Sequence, residues 1–319
     1  MSFAVAQVTP HAWDSEESEL NTWVARVGGE LAARGHRVVV LAPARSHDLV
    51  RATRAALREG ASGADSLLPA PGEPPRVLAV GEVLQASTTA RRVAGLPIDV
   101  SRTVEDALTR LPLDICHVHE PFAPSVASAA LRHSRALNVG TFHLPSERVL
   151  STQVARKVVR LVLGRLDART ASYRATANLM ARYFPGDYAL LPPGADPPLP
   201  RVTGEPGAPV RIAFLDEEER PALRLFLRAL RGVQAAEPWE VVVRTARGPA
   251  GGSGLRTDLR ERVHFVTPAE ASEAQVLAGA DVVCWASDGA LPAPDTLLRG
   301  LVAGAVPVAS CLPVYEELL

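Results

Sequence analysis

Cysteines and long apolar runs are both scarce in this sequence of 319 residues. Cys116, Cys284 and Cys311 lie far apart and form no Cys-x-x-Cys pair, so a disulfide framework is not expected. Each falls in or beside a run typical of a buried strand, which predicts reduced thiols in the core of a cytoplasmic protein. Arginine interrupts even the apolar segment 158–166, and no run approaches the ~18 residues of a membrane span, which excludes an integral membrane protein.

An excess of charge of either sign is also missing. The chain has 34 basic and 35 acidic residues, with a formal net charge of -1, so no global field steers it onto nucleic acid. Residues Met1–Pro10 form a strand-like run without a basic leader, apolar block or cleavage site. Secretion is therefore not indicated, and we expect a cytoplasmic location.

Two glycine-rich phosphate-binding signatures are absent. Neither Gly-x-Gly-x-x-Gly nor Gly-x-x-x-x-Gly-Lys-Ser/Thr occurs, which makes a dinucleotide dehydrogenase or a phosphate-loop enzyme a distant third choice. The segment Gly248–Gly254 holds four glycines in another order. It predicts a flexible loop without a phosphate role.

Apolar, β-rich runs alternate with amphipathic stretches from end to end, which predicts an α/β fold with parallel sheets and crossover helices. The clearest helix is expected over Glu16–Arg34, with apolar residues at three- and four-residue steps and Gly35 as its C-cap. The strands predicted in the first half are Phe3–Thr9, Arg37–Leu41, Arg76–Val80, Ile115–Val118, Val139–Phe142 and Tyr188–Leu191.

A proline-rich stretch divides the chain, and a second alternation follows it. Seven prolines between Pro192 and Pro209 predict a linker over 197–209, an N-terminal domain over 1–196 and a C-terminal domain over 210–319. The second domain is expected to be incomplete, since the chain stops as a new helix opens. Its predicted elements are Val210–Leu215, helix Pro221–Val233, Glu240–Arg244, Val263–Val266, helix Ala269–Ala278, Asp281–Trp285, helix Pro294–Ala303 and Val306–Ser310.

Several local strings narrow this fold class. They are Ala33-Arg34-Gly35-His36-Arg37-Val38, the run from Asp114 to Ser125, Thr141-Phe142-His143, and Pro192-Pro193-Gly194-Ala195-Asp196. In order and spacing they resemble the family 4 glycosyltransferases, nearest the phosphatidylinositol mannosyltransferase branch. The resemblance covers the whole N-terminal domain and implies the GT-B fold, in which two Rossmann-like domains face a cleft.

The resemblance assigns roles to polar residues at the ends of two strands. It implies that His143 is the catalytic residue beside the transferred sugar, and that His119 and Glu120 lie on the acceptor side. A structural histidine remains the alternative for His143, and a helix-opening carboxylate is favoured for Glu120. We expect His117 and His119, which flank Val118, to point to opposite faces of their strand and to share no metal ion.

The donor side departs from the family pattern. The register set by Ala303-Gly304 puts Leu291 and Arg299 where the family has two glutamates that grip the donor. Pro292–Asp295 replaces a turn whose amides meet the phosphates, and proline has no N–H to donate. Four acids, Asp216–Glu219, follow the first strand of the second domain, where the family has an arginine and a lysine.

The resemblance nevertheless places Val266, Thr296 and Arg299 on the donor side. Arg299 is the plausible compensation, because a guanidinium suits bidentate phosphate contact. A helix expected over Gln153–Arg169 carries five basic residues beside apolar ones. It could lie against anionic lipid at the inner face of the membrane, although a core-packed helix with a solvated arginine face is favoured.

The function implied by the resemblance is transfer of a hexose, with mannose as one candidate, from a nucleotide diphosphate sugar to a hydroxyl of a lipid or glycan. No metal ion or other cofactor is implied. The missing carboxylates and cations favour an alternative, a catalytically inactive GT-B scaffold that binds a sugar, a lipid headgroup or a partner protein.

Overall fold

The computed structural model describes two compact units, Met1–Pro192 and Pro193–Leu319. The residues described are 1–14, 18–59, 67–82, 98–121, 126–144, 161, 163–196, 198–202, 204–205, 207–233, 238–248, 255 and 257–319. Each unit contains one parallel sheet with helices in the connections, which confirms the α/β class. The division falls at the start of the proline-rich stretch in which the linker is predicted.

The first unit is built on a sheet of seven described strands. They are β1 (Ala4–Val8), β2 (Arg37–Ala44), β3 (Arg76–Glu82), β4 (Ile115–His119), β5 (Leu137–Phe142), β6 (Ala168–Ala171) and β7 (Ala189–Leu190). Their order is β3-β2-β1-β4-β5-β6-β7, and the pairings are parallel. The order reverses between β1 and β4, the switch point where open α/β sheets place ligands at the carboxyl ends of their strands.

Five described helices accompany this sheet. They are α1 (Glu19–Ala33), α2 (His47–Arg58), α3 (Ile98–Arg110), α4 (Val126–His133) and α5 (Arg174–Tyr183). Helix α1 begins at its N-cap Ser18, whose hydroxyl accepts from the Asn21 amide at 3.2 Å. Buried Leu20 and Val24 pack it against β2, and Gly35 follows its end at a φ of 87°, as its predicted C-cap requires.

The second unit has a five-stranded sheet of the same kind. Its strands are β8 (Val210–Leu215), β9 (Trp239–Arg244), β10 (Val263–Val266), β11 (Val282–Trp285) and β12 (Val306–Ala309), in the order β10-β9-β8-β11-β12. Its helices are α6 (Arg220–Ala229), α7 (Thr257–Arg260), α8 (Glu273–Gly279), α9 (Pro294–Val302) and α10 (Pro313–Glu316), with a 3-10 turn at Leu230–Gly232. The order reverses between β8 and β11, so this sheet has its own switch point.

The cysteines only partly fit the expected core positions. Cys116 is fully buried in β4, where burial raises the pKa of its thiol to about 12. Cys284 in β11 is half-buried, and burial likewise raises its pKa to about 12. Cys311, however, is exposed, so its predicted core position is wrong. It lies in the turn between α10 and β12, an edge strand whose own residues are exposed or half-buried.

One strand and two helices differ clearly from the sequence prediction. Strand β6 was not expected, because its four residues include Arg169 and Thr170 and show no apolar period. The helix predicted over Gln153–Arg169 lies largely outside the described residues, and its last two residues belong to β6. Helix α8 begins later than predicted because Ser272 and Gln275 form a capping box at its start. Among the helices that the structure describes, none has the length and apolar character needed to cross a bilayer.

Candidate functional site

Three histidine side chains gather at the carboxyl edge of the first sheet. Strand β4 ends at His119, and His143 directly follows the last residue of β5. The rings of His117 and His119 lie 4.4 Å apart, and those of His119 and His143 lie 5.4 Å apart. The expectation that His117 and His119 point to opposite faces is therefore wrong, because residues two positions apart in a strand share a face.

His119 and His143 belong to one continuous chain of hydrogen bonds. The Nε2 atom of His119 lies 2.8 Å from Oε1 of Gln7, and its Nδ1 atom lies 3.1 Å from Nε2 of His143. The Nδ1 atom of His143 lies 2.7 Å from the hydroxyl of Ser172. Gln7, His119 and Ser172 are buried, whereas His143 is half-buried. His143 is thus the member of this chain that reaches the edge of the sheet.

Burial keeps these imidazoles neutral. Desolvation lowers the pKa of His143 to about 3, with help from the neighbouring His117 and His11. The pKa of His119 also lies well below its ordinary value because of desolvation, with repulsion from His117 and His143 adding to the effect. At neutral pH each ring therefore carries one proton and offers one donor and one acceptor nitrogen.

His117 belongs to a second chain on the same face. Its Nε2 atom lies 2.5 Å from the hydroxyl of Thr141, which lies 2.5 Å from the hydroxyl of Thr170. Thr170 in turn donates to the carbonyl of Gly140 at 3.5 Å. Desolvation lowers the pKa of His117 to about 4. The three histidines are therefore held by two separate sets of partners.

Trp23 of α1 covers this histidine cluster. Its indole meets His119 and His143 edge-on, with ring centroids 5.1 Å apart in each case, and lies 6.0 Å from His117. Such edge-to-face contacts are favourable for aromatic rings. The sequence indicated Trp23 only as part of the apolar face of its helix, and nothing in its spacing separates that role from packing on the histidines.

Glu120 joins the ends of β4 and β5. Its backbone lies in the left-handed region, at a φ of 48°, and its Oε1 atom accepts hydrogen bonds from the amides of His143 at 2.7 Å and Leu144 at 2.9 Å. Burial raises the pKa of this carboxyl to about 7, although both amides act to lower it. Glu120 thus supports the backbone that carries His143, while residues 122–125, before α4, lie outside the described part.

The acidic segment Asp216–Glu219 occupies the switch point of the second sheet. Glu218 accepts from the amides of Ala286 at 2.7 Å and Ser287 at 3.0 Å, in the loop after β11. Glu219 accepts from the Ser287 hydroxyl at 2.7 Å and the Leu291 amide at 2.9 Å. These backbone N–H groups, which could otherwise face an anionic ligand, are already bound to carboxylates of the same chain.

The pKa values of the two glutamates shift in opposite directions. Burial raises the pKa of Glu218, although its hydrogen bond from the Tyr315 hydroxyl opposes the shift. Burial also acts to raise the pKa of Glu219, but the Asp288 amide, the Ser287 hydroxyl and the Leu291 amide together hold it below its ordinary value. Glu219 therefore stays ionised at neutral pH.

Two of the residues assigned to the donor side lie together. Thr296 in α9 is buried, and its hydroxyl donates to Glu217 at 2.6 Å. Arg299, one turn later, donates through Nη2 to Glu273 at 3.1 Å and to the Thr296 hydroxyl at 3.2 Å, and its Nε donates to the same glutamate. Its guanidinium therefore has a carboxylate partner within its own unit.

Val266, the third residue assigned to the donor side, belongs to a strand and not to the helix that carries this pair. It ends β10, the edge strand, which is separated from β8 by β9. Its carbonyl accepts from the Thr245 amide at 2.9 Å. Strand order therefore separates β10, which Val266 ends, from the two strands of the switch point, β8 and β11.

Comparison with solved structures identifies this architecture. The chain is similar to sucrose-phosphate synthase from Thermosynechococcus elongatus, with a TM-score of 0.64 and 14% identity over 97% of this chain and 82% of that one. It is also similar to Anabaena HepE in complex with UDP and glucose, with a TM-score of 0.62 and 15% identity over 99% and 83% of the two chains. The fold is the GT-B fold of glycosyltransferases, two Rossmann-like domains in one chain.

Sequence comparison narrows this class to one family. Residues 20–198 match the model of Glycosyltransferase Family 4. Phosphatidyl-myo-inositol mannosyltransferase of Mycobacterium tuberculosis is 24% identical over 99% of this chain and 79% of its own length. The Mycobacterium leprae protein of that name is 26% identical over 99% and 80%. Because the family match spans more than half of the chain, this protein belongs to glycosyltransferase family 4 and is a glycosyltransferase.

Proposed function

We propose that this enzyme transfers a hexose from a nucleotide diphosphate sugar to a hydroxyl of a lipid or glycan. The observation that carries the proposal is the neutral His143 at the carboxyl edge of the first sheet, in a chain of this family. The relatives named phosphatidyl-myo-inositol mannosyltransferase make mannose the first sugar to test and an inositol lipid the first acceptor.

On the acceptor side, His143 acts by position and hydrogen bonding. A ring with a pKa near 3 stays neutral beside the reacting sugar, so it contributes an oriented dipole and excludes water. His119 holds one ring nitrogen of His143, and Glu120 holds its backbone amide. In this proposal the acceptor hydroxyl lies next to these three residues.

On the donor side, the proposal assigns the sugar nucleotide to the loops around Thr296 and Arg299. Val266 would lie at the edge of the same binding site. Glu218 and Glu219 already bind amides after β11, and Arg299 binds Glu273, so a diphosphate must compete with carboxylates of the enzyme. We therefore expect weak donor binding. The alternative of an inactive scaffold gains no support from the relatives, which bear the names of transferases.

The test combines binding and transfer. Calorimetric titration with GDP-mannose, UDP-glucose and other nucleotide diphosphate sugars should show saturable binding of one donor, and radiolabel from that donor should pass to phosphatidylinositol vesicles or to a glycan. His143→Gln should lose transfer but keep donor binding, whereas a change of the exposed His264 to Gln should alter neither. Absence of binding and transfer across the whole panel would sink the proposal.

Peripheral membrane contact is a separate part of this proposal. It is supported by the basic residues of segment 153–169 and by the lipid acceptor in the names of the relatives. Sedimentation with vesicles containing phosphatidylinositol should carry the protein down, and neutral phosphatidylcholine vesicles should not. Equal recovery in both supernatants would remove the membrane from the proposal.

A further inference from the structure

We propose that Gln7 is a positioning residue that fixes, through His119, the neutral tautomer of His143 with its proton on Nε2. The inference rests on the proposed function only in making His143 the residue beside the reacting sugar. Gln7 belongs to β1 and lies 112 positions from His119 along the chain, and both side chains are fully buried. The assignment follows from the hydrogen-bonding capacity of each group in turn.

The first step is the protonation of His119. In this structure the Oε1 atom of Gln7, which can only accept, faces Nε2 of His119 at 2.8 Å, and this orientation of the amide requires the proton on Nε2. Because the ring is neutral, Nδ1 of His119 has a lone pair and acts as an acceptor. The side-chain amide of Gln7 therefore decides whether Nδ1, on the opposite side of the His119 ring, donates or accepts a hydrogen bond.

The second step is the protonation of His143, which follows from that of His119. Its Nε2 atom lies 3.1 Å from the acceptor Nδ1 of His119 and must therefore donate. The remaining nitrogen, Nδ1, then accepts from the Ser172 hydroxyl at 2.7 Å. Both ring nitrogens of His143 are engaged, so the ring is locked in one orientation and one tautomer.

The same groups allow one other polarity. Within the described part of the chain, Nε2 of Gln7 is buried without a hydrogen-bond partner. A half-turn of its amide would present Nε2 of Gln7, a donor, to His119. The protons of His119 and His143 would then each move from Nε2 to Nδ1 of the same ring. His143 would then donate to Ser172 from Nδ1. The orientation of one buried amide thus selects between two states of the residue at the edge of the sheet.

His117 provides an internal control. Its Nε2 atom faces Thr141 and Thr170, and neither hydroxyl is bonded to Gln7 or Ser172 among the contacts that the structure describes. A change in the hydrogen bonds that join Gln7, His119 and His143 should therefore leave the tautomer of His117 unchanged. Conversely, Thr170→Val removes the hydrogen bond between Thr141 and Thr170 and should leave the tautomer of His143 unchanged.

The experiment is ring-nitrogen NMR of the full chain labelled with 15N-histidine, with peaks assigned by single histidine substitutions. In the unchanged protein, His119 and His143 should both carry the proton on Nε2 at neutral pH. Gln7→Leu removes the acceptor, so the Nδ1 and Nε2 shifts of both rings should exchange places. Gln7→Met, which matches the length of glutamine and also lacks the acceptor, should give the same exchange and serves if the leucine variant does not fold.

The outcomes separate cleanly. A proton on Nδ1 of His143 in the unchanged protein, or unaltered shifts in Gln7→Leu, would overturn the inference. Loss of transfer is a different readout: Gln7→Leu and Gln7→Met should each lower kcat by about tenfold at constant KM, the scale of one hydrogen bond. Exchange of the shifts without any change in transfer would uphold the role of Gln7 and count against the proposed role of His143.

Discussion

The carboxyl group of Glu120 carries a free-energy cost at neutral pH. Its pKa of about 7 in the folded chain lies above the ordinary 4.5, so as pH rises the unfolded chain loses this proton first. The free energy of unfolding therefore falls as the pH rises from 4.5 to about 7, by up to about 3 kcal/mol from this group alone. Burial produces the cost, and two backbone amides only partly offset it.

Glu120→Gln should remove this cost. The amide keeps an acceptor oxygen for the His143 and Leu144 amides and has no charge to desolvate, so the variant should unfold at a higher urea concentration at pH 8 than the unchanged chain. The advantage should vanish at pH 4. The exposed Glu30 gives a matched control, and a variant less stable at pH 8 would contradict the assignment of burial as the dominant cause.

The buried histidines act in the opposite direction. The folded-state pKa values of His117 and His143, about 4 and about 3, lie below the ordinary 6.5, so the unfolded chain binds protons more readily. This contribution is fully present above pH 6.5 and is lost as pH falls through the folded-state values. It outweighs Glu120 between pH 6.5 and 4.5, because three imidazoles, including His119, oppose one carboxyl group.

We expect His117→Gln to unfold less readily on acidification than the unchanged chain. Replacing one titrating ring should reduce the loss of stability between pH 6.5 and 4 by up to about 3 kcal/mol. Urea unfolding followed by circular dichroism at a series of pH values measures this slope. The exposed His264 is the control, and equal slopes for both variants would show that His117 binds its proton equally well in the folded and the unfolded chain.

At the scale of elements, the acidic segment after β8 acts as an internal anion. Its glutamates bind the amides of the loop after β11, and its Glu217 binds the Thr296 hydroxyl of α9. The charge that would repel a diphosphate is thus the charge that orders the loop. Removing one carboxylate should therefore change donor affinity and loop stability in opposite directions.

Glu219→Gln should strengthen donor binding. The variant removes a negative charge that is ionised at neutral pH, while its amide oxygen still accepts from the Leu291 amide. We expect affinity for the nucleotide diphosphate sugar to rise about threefold to tenfold in calorimetric titration. Substitution of the exposed Glu261 by Gln provides the control. Weaker binding would mean that the Glu219 carboxylate itself contacts the donor.

The sequence predicts these elements well where an apolar run is clearly distinct from the polar, glycine or proline residues on either side of it. The bounds of β8 and β10 agree with prediction because each is a short apolar run with clear ends. The sequence predicts His143 at the end of its strand for the same reason, and β5 ends one residue before it. The pairing of His119 with Gln7 could not be predicted, since it joins residues 112 apart whose types indicate only a polar side chain in a buried strand.

At the scale of the whole molecule, each unit has its own sheet and its own core. The first unit is cored by residues such as Val8, Val39 and Val118, and the second by Phe214, Phe226 and Val241. Phe214 and Phe226 stack with their rings 4.6 Å apart. A sheet with a separate core has what a domain needs to fold alone.

Residues 1–192 expressed alone should therefore fold. We expect α/β circular dichroism and a cooperative urea transition, and the NMR signals of His119 and His143 should match those of the full chain. The fragment 193–319 should also fold, with a lower midpoint, because its smaller sheet buries less apolar surface. A non-cooperative transition for residues 1–192 would show that its core depends on the rest of the chain.

The exposed position of Cys311 gives the chain a built-in attachment point for a fluorophore. Cys116 and Cys284 are protected by burial, which raises the pKa of both thiols to about 12 and leaves them without thiolate at neutral pH. A maleimide dye should therefore label Cys311 alone, one residue before the N-cap of α10. Tyr315 of that helix donates to Glu218, so the emission of the dye should report when a ligand disturbs the carboxylates of the switch point.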